Sequence, residues 1–284
     1  MNVKEAFFDY AFGLCKEVFE LVKYGKAAIP VNYYARHNNW GDQVNPYIVN
    51  KITGVVVRKV QRKSSKHLLC VGSVLSTASE NSIIWGSGFI SNDITLKTNK
   101  INVCAVRGHL TRKRLLEEYN LKNDIALGDP VVLMKDFYNP EINKKYKIGI
   151  VAHYKDKDLP SVRKLLELGV GLINIQSDTI ESFIDDILQY EYVFSSSLHG
   201  LIVADVYEIP NIRLVLSNYV KGGDFKFLDY YSTTDNQAPD KLIISDDCID
   251  LDFIEQAVKK CSVSNFIESK DALKNSFPAW CFHD

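Results

Sequence analysis

The chain has 284 residues, of which 46% are hydrophobic and 24% are charged, and its formal net charge at pH 7 is -1. This length allows one large domain or two domains of roughly 100–150 residues. A protein that binds nucleic acid needs a concentrated basic face. The balanced charge and the lack of a long Lys/Arg run exclude nucleic acid as an expected partner.

The six cysteines and the first residues indicate a cytoplasmic protein. No two cysteines form a Cys-x-x-Cys pair, which favours reduced thiols over a disulfide framework. Apolar residues between Val3 and Val22 follow helical spacing, with charged residues such as Asp9 and Lys16 among them. We expect a core-packing helix that ends near Gly25, rather than a signal peptide or a membrane span. A helix lying on a membrane surface is the alternative.

Beyond this helix, short apolar runs alternate with amphipathic segments in two series. The first series predicts strands at Ile29–Tyr34, Val55–Val57, Leu68–Val71, Ile83–Trp85 and Ile101–Val106 and helices at Asp42–Thr53 and Leu110–Tyr119. A polar stretch, Lys135–Lys147, is typical of a linker. The second series predicts strands at Lys147–His153, Gly171–Ile175, Tyr192–Phe194, Asn211–Leu216 and Leu242–Ile244 and helices at Ser161–Leu168, Thr179–Gln189, Leu198–Tyr207 and Leu251–Cys261.

Strand–helix alternation in both halves predicts an α/β fold with two Rossmann-like, doubly wound domains that face a central cleft. We expect an N-terminal domain at 1–140 and a C-terminal domain at 141–284, whose last residues pack back on the first. In such folds, ligands bind in the crevice beyond the carboxyl ends of the strands. The residues at those ends are therefore the candidate site residues.

In the first half, the strand ends carry small, polar and basic residues. These candidates are Asn39, Gly41, Asp42, Ser73, Gly86, Ser87, Gly88, Arg107, His109 and Arg112. Gly41 permits a tight turn and Asp42 is a good helix N-cap, so a structural turn and a ligand-binding turn are both open. Trp40 either stacks on a sugar or packs in the core. Arg107 follows a strand, where its guanidinium would reach into the crevice and bind a carboxylate or phosphate.

In the second half, one strand-to-helix turn is the most informative. It contains Ser195, Ser196, Ser197, His199 and Gly200. Free backbone N–H groups at the start of a helix attract an anion, and a His in the first turn is able to give or take a proton.

Two further basic residues are candidates in the second half. His153 ends another strand and is either a structural residue or a partner of His199 across the crevice. Lys226 follows Gly222 and Gly223 in a predicted flexible loop, where it either reaches an anionic ligand or is solvated.

Several common cofactor sites are not indicated. The glycines match neither Gly-x-Gly-x-x-Gly nor Gly-x-x-x-x-Gly-Lys, so a dinucleotide or triphosphate cradle is unsupported. The six histidines show no His-x-x-x-His pair, and no metal site is expected.

Five segments together resemble the polysaccharide pyruvyl transferases. In chain order they are Asn39-Trp40-Gly41-Asp42, Trp85-Gly86-Ser87-Gly88, Val106-Arg107-Gly108-His109-Leu110-Thr111-Arg112, Leu127-Gly128-Asp129-Pro130 and Ser196-Ser197-Leu198-His199-Gly200. Each motif is short, but their order and spacing are similar to those of the family from about residue 30 to residue 230.

The resemblance implies a GT-B-like arrangement with the acceptor on the N-terminal domain and the donor on the C-terminal domain. It also implies transfer of the pyruvyl group of phosphoenolpyruvate onto two hydroxyls of one sugar, in a capsular, exopolysaccharide or lipid-linked precursor. No metal or organic cofactor is implied. A lipid-linked acceptor would place the enzyme at the inner face of the cytoplasmic membrane. In the family, residues matching Arg107 and His199 contact the donor, and that His is the favoured acid/base.

The chain departs from the family at one position. Many members have Arg-Leu-His-Gly where this chain has Ser197-Leu198-His199-Gly200, so the positive charge must come from elsewhere. Arg107, Arg112 and Lys226 are the candidates. Two other functions stay open: a GT-B-type glycosyltransferase that uses a nucleotide sugar, and a non-catalytic assembly protein.

Overall fold

A computed structural model describes residues 28–34, 37–60, 65–98, 100–119, 121, 124–217, 219, 222–244 and 249–282. The helix predicted between Val3 and Val22 lies outside these residues. Among the described helices, none combines the length and the apolar character that a membrane span requires.

The first half forms a six-stranded parallel sheet within the described residues. Its strands are β1 (Ile29–Val31), β2 (Val57–Lys59), β3 (His67–Leu69), β4 (Ser82–Trp85), β5 (Asn102–Val106) and β6 (Ala126–Leu127), in the order β2-β1-β3-β4-β5-β6. Its helices are α1 (Trp40–Thr53), α2 (His109–Tyr119) and α3 (Met134–Phe137), with 3-10 turns at Leu75–Thr77 and Pro130–Leu133.

The second half forms a five-stranded parallel sheet within the described residues. Its strands are β7 (Tyr146–Val151), β8 (Gly171–Leu172), β9 (Tyr190–Ser195), β10 (Asn211–Val215) and β11 (Lys241–Ile243), in the order β11-β10-β9-β7-β8. The remaining helices are α4 (Pro160–Glu167), α5 (Ile180–Leu188), α6 (Leu198–Val206), α7 (Phe225–Tyr231), α8 (Leu251–Lys260) and α9 (Lys270–Asn275), followed by a 3-10 turn at Ala279–Phe282.

The sheets form from short apolar runs because each is covered by helices on both faces. All four residues of β4 are buried, as are the last four of β7, which is typical of strands inside a parallel sheet. Local signals set the helix ends. Thr179 and Ser182 form a capping box at the start of α5, and Gly54 ends α1 in the left-handed conformation.

In each sheet the strand order reverses once, beside the strand that comes first along the chain. β1 lies between β2 and β3, and β7 lies between β8 and β9. Ligands of doubly wound sheets bind at such reversals, beyond the carboxyl ends of the strands. Two such crevices exist in this chain, one at β1 and β3 and one at β7 and β9.

The two halves pack closely against each other. Trp40, at the start of α1, is 1% exposed and its indole N–H donates to the Ile180 carbonyl at 3.0 Å. Its ring centroid lies 5.1 Å from that of Phe183. Trp40 is therefore a core residue between the halves, which decides between the two roles considered for it.

The last described residues return to the first sheet. The Trp85 indole donates to the Leu273 carbonyl at 3.0 Å and to Ser276 Oγ at 3.1 Å, and its ring meets Phe277 edge-on at 4.8 Å. α9 also contacts β6. The C-terminal segment therefore completes the core of the N-terminal half.

Several predicted elements differ from the structure. The strand predicted at Val55–Val57 begins at Val57, because Val55 and Val56 connect it to the end of α1. The predicted linker Lys135–Lys147 overlaps α3 at its start and β7 at its end. The predicted loop around Lys226 is also wrong, since Phe225 begins α7 and Lys226 lies in its first turn.

Candidate functional site

The candidate site lies at the carboxyl ends of β7 and β9. His153 follows β7, and the Ser195–Ser197 turn joins β9 to α6, whose first turn contains His199. The His153 backbone N–H donates to Ser196 Oγ at 2.9 Å, and the Ser196 hydroxyl donates to the buried Asp156 at 3.0 Å. These bonds fix both strand ends at the reversal of the second sheet.

Three basic side chains come together here and are called the basic cluster: His153, His199 and Lys226. Burial and the charges of Lys226, Arg107 and His153 together lower the pKa of His199 to about 3, with burial the largest cause. Burial and the charges of Lys226 and Lys155 lower the pKa of His153 to about 4. Burial, Arg107 and Arg213 lower the pKa of Lys226 to about 7, against an opposing effect of Asp156.

These shifts have one physical meaning. Like charges placed together in a partly buried site disfavour each other's protonated forms, and desolvation adds to the effect. Near neutral pH both histidines are therefore neutral. Negative charge placed nearby would favour the protonated forms and raise these pKa values.

His199 is held against the first half of the chain. A Cβ atom on Gly41 would lie 1.9 Å from His199 Nδ1 and 2.4 Å from Cε1, so the imidazole packs directly on the Gly41 backbone. Among the twenty residues, glycine alone leaves room for the ring. The Asn39–Asp42 turn of the first half thus positions His199 of the second half.

Asp129, which sequence reasoning did not assign to the site, faces His199 from the other side. Its Oδ2 lies 4.0 Å from His199 Nε2, and both atoms are buried without a hydrogen-bond partner among the described residues. Its other oxygen accepts from the Val131 backbone N–H at 3.1 Å, as the N-cap of the Pro130–Leu133 turn. Burial raises the pKa of Asp129 to about 6. The signal for it in the sequence was the Leu127–Pro130 motif.

Arg107 differs from the expected open guanidinium. Its side chain is fully buried and forms an ion pair with Asp229 of α7 at 2.8 Å. Its other donors reach Ser73 Oγ at 2.7 Å and the Phe89 carbonyl at 2.6 Å. A Cβ on Gly88 would lie 2.6 Å from the Arg107 Cζ, so Gly88 admits the guanidinium. The Arg107 charge lowers the pKa values of His199 and Lys226. Its ion pair with Asp229 also fixes the position of α7, which carries Lys226.

Asn39 and Asp42 form a polar pair at the start of α1. The Asn39 amide donates to Asp42 Oδ2 at 3.0 Å, whereas Asn39 Oδ1 is buried without a hydrogen-bond partner among the described residues. Burial raises the pKa of Asp42 to about 6. The Asp42 charge also raises the pKa of Tyr154, which follows His153, so this pair faces the second half of the chain.

His109 and Arg112 point to the C-terminal segment. His109 Nε2 lies 2.7 Å from Glu268, and Arg112 lies 3.0 Å from His109 Nδ1. The structure therefore groups these two predicted site residues with Glu268 rather than with the basic cluster.

The remaining predicted residues make the framework of the two crevices. Ser195 bonds to the Val151 and Ser197 carbonyls, and Ser87 donates to the Gly72 carbonyl at 2.9 Å. A Cβ on Gly200 would lie 2.4 Å from Ser195 Oγ, and one on Gly86 would lie 2.2 Å from Pro130. Ser197 is the N-cap of α6, but its hydroxyl makes no capping bond.

A cavity of about 300 Å³ opens beside the basic cluster, at the carboxyl end of β10. Ser196, Arg213, Ser217 and Phe227 are among its lining residues. Arg213 donates to Asp224 at 2.7 Å, and its Nε is buried without a partner among the described residues. Sequence reasoning missed Arg213 because it lies inside a strand rather than after one.

Comparisons with known proteins identify the family of the chain. The family model described as polysaccharide pyruvyl transferase matches residues 23–218. An uncharacterised protein of Acanthamoeba polyphaga mimivirus is 30% identical over 213 residues, covering 72% of this chain and 74% of that protein. The succinoglycan biosynthesis protein ExoV of Rhizobium meliloti (strain 1021) is 24% identical over 214 residues, covering 72% of this chain and 64% of ExoV.

Among solved structures, a functionally uncharacterised protein of Klebsiella pneumoniae aligns with a TM-score of 0.45 and 14% identity, covering 86% of this chain and 100% of that one. The family assignment rests on the match over residues 23–218, which include Gly41, Arg107, Asp129 and His199. The chain belongs to the polysaccharide pyruvyl transferase family.

Proposed function

We propose that this protein transfers the pyruvyl group of phosphoenolpyruvate onto two hydroxyls of one sugar and releases phosphate. The observation that supports it most is the basic cluster at the reversal of the second sheet, closed by Gly41 and Asp129 of the first half. The family supports pyruvyl transfer in general, and the donor and acceptor are part of the proposal.

The donor fits the charge of the site. Phosphoenolpyruvate carries a carboxylate and a phosphate of about -1.5 to -2 charge. The backbone N–H groups at the start of α6 and the Lys226 ammonium would bind one end of it. The phosphate would extend toward Arg213 and the cavity beside it. Arg107 then acts as a positioning residue, because each of its three side-chain nitrogens already donates to a residue of the protein.

The reaction balances in two steps. In the first, an acceptor hydroxyl oxygen bonds to C2 of the donor, its proton is removed, and a proton is added to C3, so that the methylene becomes a methyl group. In the second, another hydroxyl of the same sugar bonds to C2, loses its proton, and the C2–O bond to phosphate breaks. The products are a cyclic ketal and inorganic phosphate.

The residues divide between these proton transfers. His199 would supply the C3 proton once the bound donor has raised its pKa, and Asp129 would hold its imidazole in place. His153 lies close enough to His199 for its charge to lower the pKa of His199, and it is proposed as the partner of His199. Asn39 and Asp42 would bind the acceptor hydroxyls from the first half.

The proposal extends to the arrangement of the chain. Residues 1–140 would form the acceptor side and 141–284 the donor side of a GT-B-like enzyme, with the site between them. Such an enzyme works in the cytoplasm, where phosphoenolpyruvate is available. If its acceptor is lipid-linked, it would act at the inner face of the cytoplasmic membrane.

The test is incubation with phosphoenolpyruvate and a panel of galactosides, glucosides and mannosaminides. We expect a mass gain of one pyruvyl unit on one sugar, with release of phosphate in equal amount. Parallel reactions with nucleotide sugars test the glycosyltransferase alternative. Transfer of a sugar from a nucleotide donor, with no pyruvylated product, would refute the proposal.

A further inference from the structure

Four aromatic rings form a continuous row between the two halves of the chain. The ring centroids of Tyr34 and His37 are 5.8 Å apart, those of His37 and Tyr154 are 4.7 Å apart, and those of Tyr154 and His153 are 4.4 Å apart. The His37 and Tyr154 rings are nearly parallel, at 23°. The row therefore joins the loop after β1 to the turn after β7, the two crevices described above.

One end of this row is open to solvent and the other belongs to the basic cluster. Tyr34 is 43% exposed and His37 is also exposed, whereas Tyr154 and His153 are partly buried. The Gln176 side chain donates to the His37 carbonyl and ties this loop to the second half. Exposed aromatic rings arranged toward a site are typical of a ligand surface.

Aromatic rings suit a sugar ligand. The C–H faces of a pyranose are apolar and pack on aromatic faces, while its hydroxyls need polar partners at the edge. Asp42 provides a carboxylate close to Tyr154, and Asn39 Oδ1 is a buried acceptor without a partner among the described residues. Both requirements are met next to His153.

We propose that the acceptor binds as an oligosaccharide along an aromatic platform, the edges of the stacked Tyr154 and His37 rings, with the Tyr34 ring contacting the sugar next to the one that is modified. This inference rests on the proposed function. The modified sugar must lie beside His153 for its hydroxyls to reach the donor. Tyr34 lies two ring contacts farther out than Tyr154 and is placed to contact the neighbouring sugar.

The experiment compares monosaccharide and disaccharide acceptors in matched pairs: methyl galactoside with lactose, and methyl glucoside with cellobiose. For Tyr34→Ala we expect KM for the disaccharide to rise roughly 3- to 10-fold, as expected for loss of one aromatic contact. We expect no change in kcat or in the monosaccharide KM. Tyr34→Phe, which keeps the ring, should behave as the wild type.

Tyr146→Ala is the matched control. Tyr146 is 54% exposed and has one ring contact, with Tyr190 at 5.2 Å, but it lies at the amino end of β7, away from the crevice. It should leave both KM values unchanged. Equal effects of Tyr34→Ala on both members of a pair would show a structural role and overturn the inference.

Direct binding separates this inference from the proposed function. Saturation-transfer NMR measures binding of the four sugars without turnover. The shift in melting temperature with phosphoenolpyruvate measures binding at the donor site. Disaccharide binding that depends on Tyr34, without pyruvyl transfer, would support the platform and refute the function. Pyruvyl transfer in which Tyr34→Ala leaves the disaccharide KM unchanged would refute the platform but not the proposed function. A wild type that neither binds nor modifies any of these sugars would contradict both.

Discussion

His199 is enclosed by two residues of the other half of the chain. Gly41 lies against one edge of its ring, and Asp129 faces Nε2 at 4.0 Å. The side chain is 12% exposed. A carboxylate close to an imidazole nitrogen is an arrangement suited to moving a proton.

Replacing His199 with Ala tests its role in catalysis. We expect turnover to fall by ~10²–10⁴, the usual contribution of a general acid/base, because no other side chain takes its position. Thermal unfolding should show that the fold is intact. An unchanged turnover number would remove His199 from the mechanism.

Replacing Asp129 with Asn tests the carboxylate behind His199. The pKa of Asp129 is about 6, so its carboxylate is present above that pH and lost as the pH falls through it. We expect kcat of the wild type to decline on the acid side of pH 6, because His199 loses its partner there. In Asp129→Asn, kcat should be at least ~10-fold lower and should lack this step.

If kcat of the Asp129→Asn variant still declines below pH 6, another group causes that decline. Asp42, whose pKa is also raised to about 6, is the natural alternative. Asp42→Asn is therefore the control, and it should keep the step.

Single residues differ in how far the sequence predicts them. The turns that contain His199 and Gly41 were predicted because a turn between a strand and a helix is a local pattern. Asp129 and Arg213 were not, since their roles arise from contacts between elements far apart in the chain. Arg107 shows the same limit: its position at a strand end was correctly identified, but the ion pair with Asp229 depends on α7.

At the scale of elements, α7 links the two sides of the site. Its first turn carries Lys226 to the basic cluster, and one turn later Asp229 binds Arg107 and the Thr111 backbone N–H, the latter at 2.7 Å. A Cβ on Gly108 would lie 1.7 Å from the Asp229 carbonyl oxygen, so α7 sits directly on the end of β5. The basic cluster therefore depends on how α7 docks.

The depressed pKa values predict proton uptake on donor binding. A trianion beside Lys226, His153 and His199 raises their pKa values from about 7, 4 and 3, so the complex binds more protons than the free protein. Calorimetry of phosphoenolpyruvate binding in two buffers of different ionisation enthalpy measures this uptake. The measurement belongs at about pH 7.5, where the donor phosphate is already ionised.

Lys226→Met should remove most of the uptake, because the pKa of Lys226 lies nearest that pH. Lys241→Met is a suitable control, since Lys241 pairs with Asp224 outside the basic cluster. Net release of protons by the wild type would contradict the charge argument.

Among the elements, the short helices α3, α7 and α9 were not predicted and β6 was missed. In α7, Asp229 contacts Arg107 of the first half and Tyr230 contacts Asp205 of the second, so Phe225–Tyr231 has no clear polar face. β6 has two residues and no periodicity to detect. The longer helices and the apolar strands were predicted with small shifts at their ends, because burial on a covered sheet leaves a strong local pattern.

At the scale of the whole molecule, the Arg107–Asp229 pair joins the halves in a fully buried position. Removing one member leaves the other charge buried without its partner. We expect Arg107→Ala to lower the free energy of unfolding by about 3–5 kcal/mol, measured by urea denaturation.

The double variant Arg107→Ala/Asp229→Ala should lose less than the sum of the single variants, because neither charge is left uncompensated. Additive losses would show that the pair does not couple the halves. Lys113→Ala serves as the control, since its pairing with Glu117 is exposed.

The α/β class and two parallel sheets were predictable from strand–helix alternation in both halves. How the halves meet was not. Trp40 illustrates the reason: its neighbour Gly41 marks a turn, but the burial of Trp40 against Phe183 appears when both halves are assembled.

The bonds from Trp85 to the C-terminal segment have a consequence for synthesis of the chain. Trp85 and Leu273 are separated by 188 residues, and a ribosome adds about 5–20 residues per second. Leu273 therefore leaves the exit tunnel roughly 10–40 s after Trp85, and until then the Trp85 indole has no partner in this segment. During that interval the first sheet emerges with an uncovered apolar surface at the end of β4, which is the kind of surface that chaperones shield.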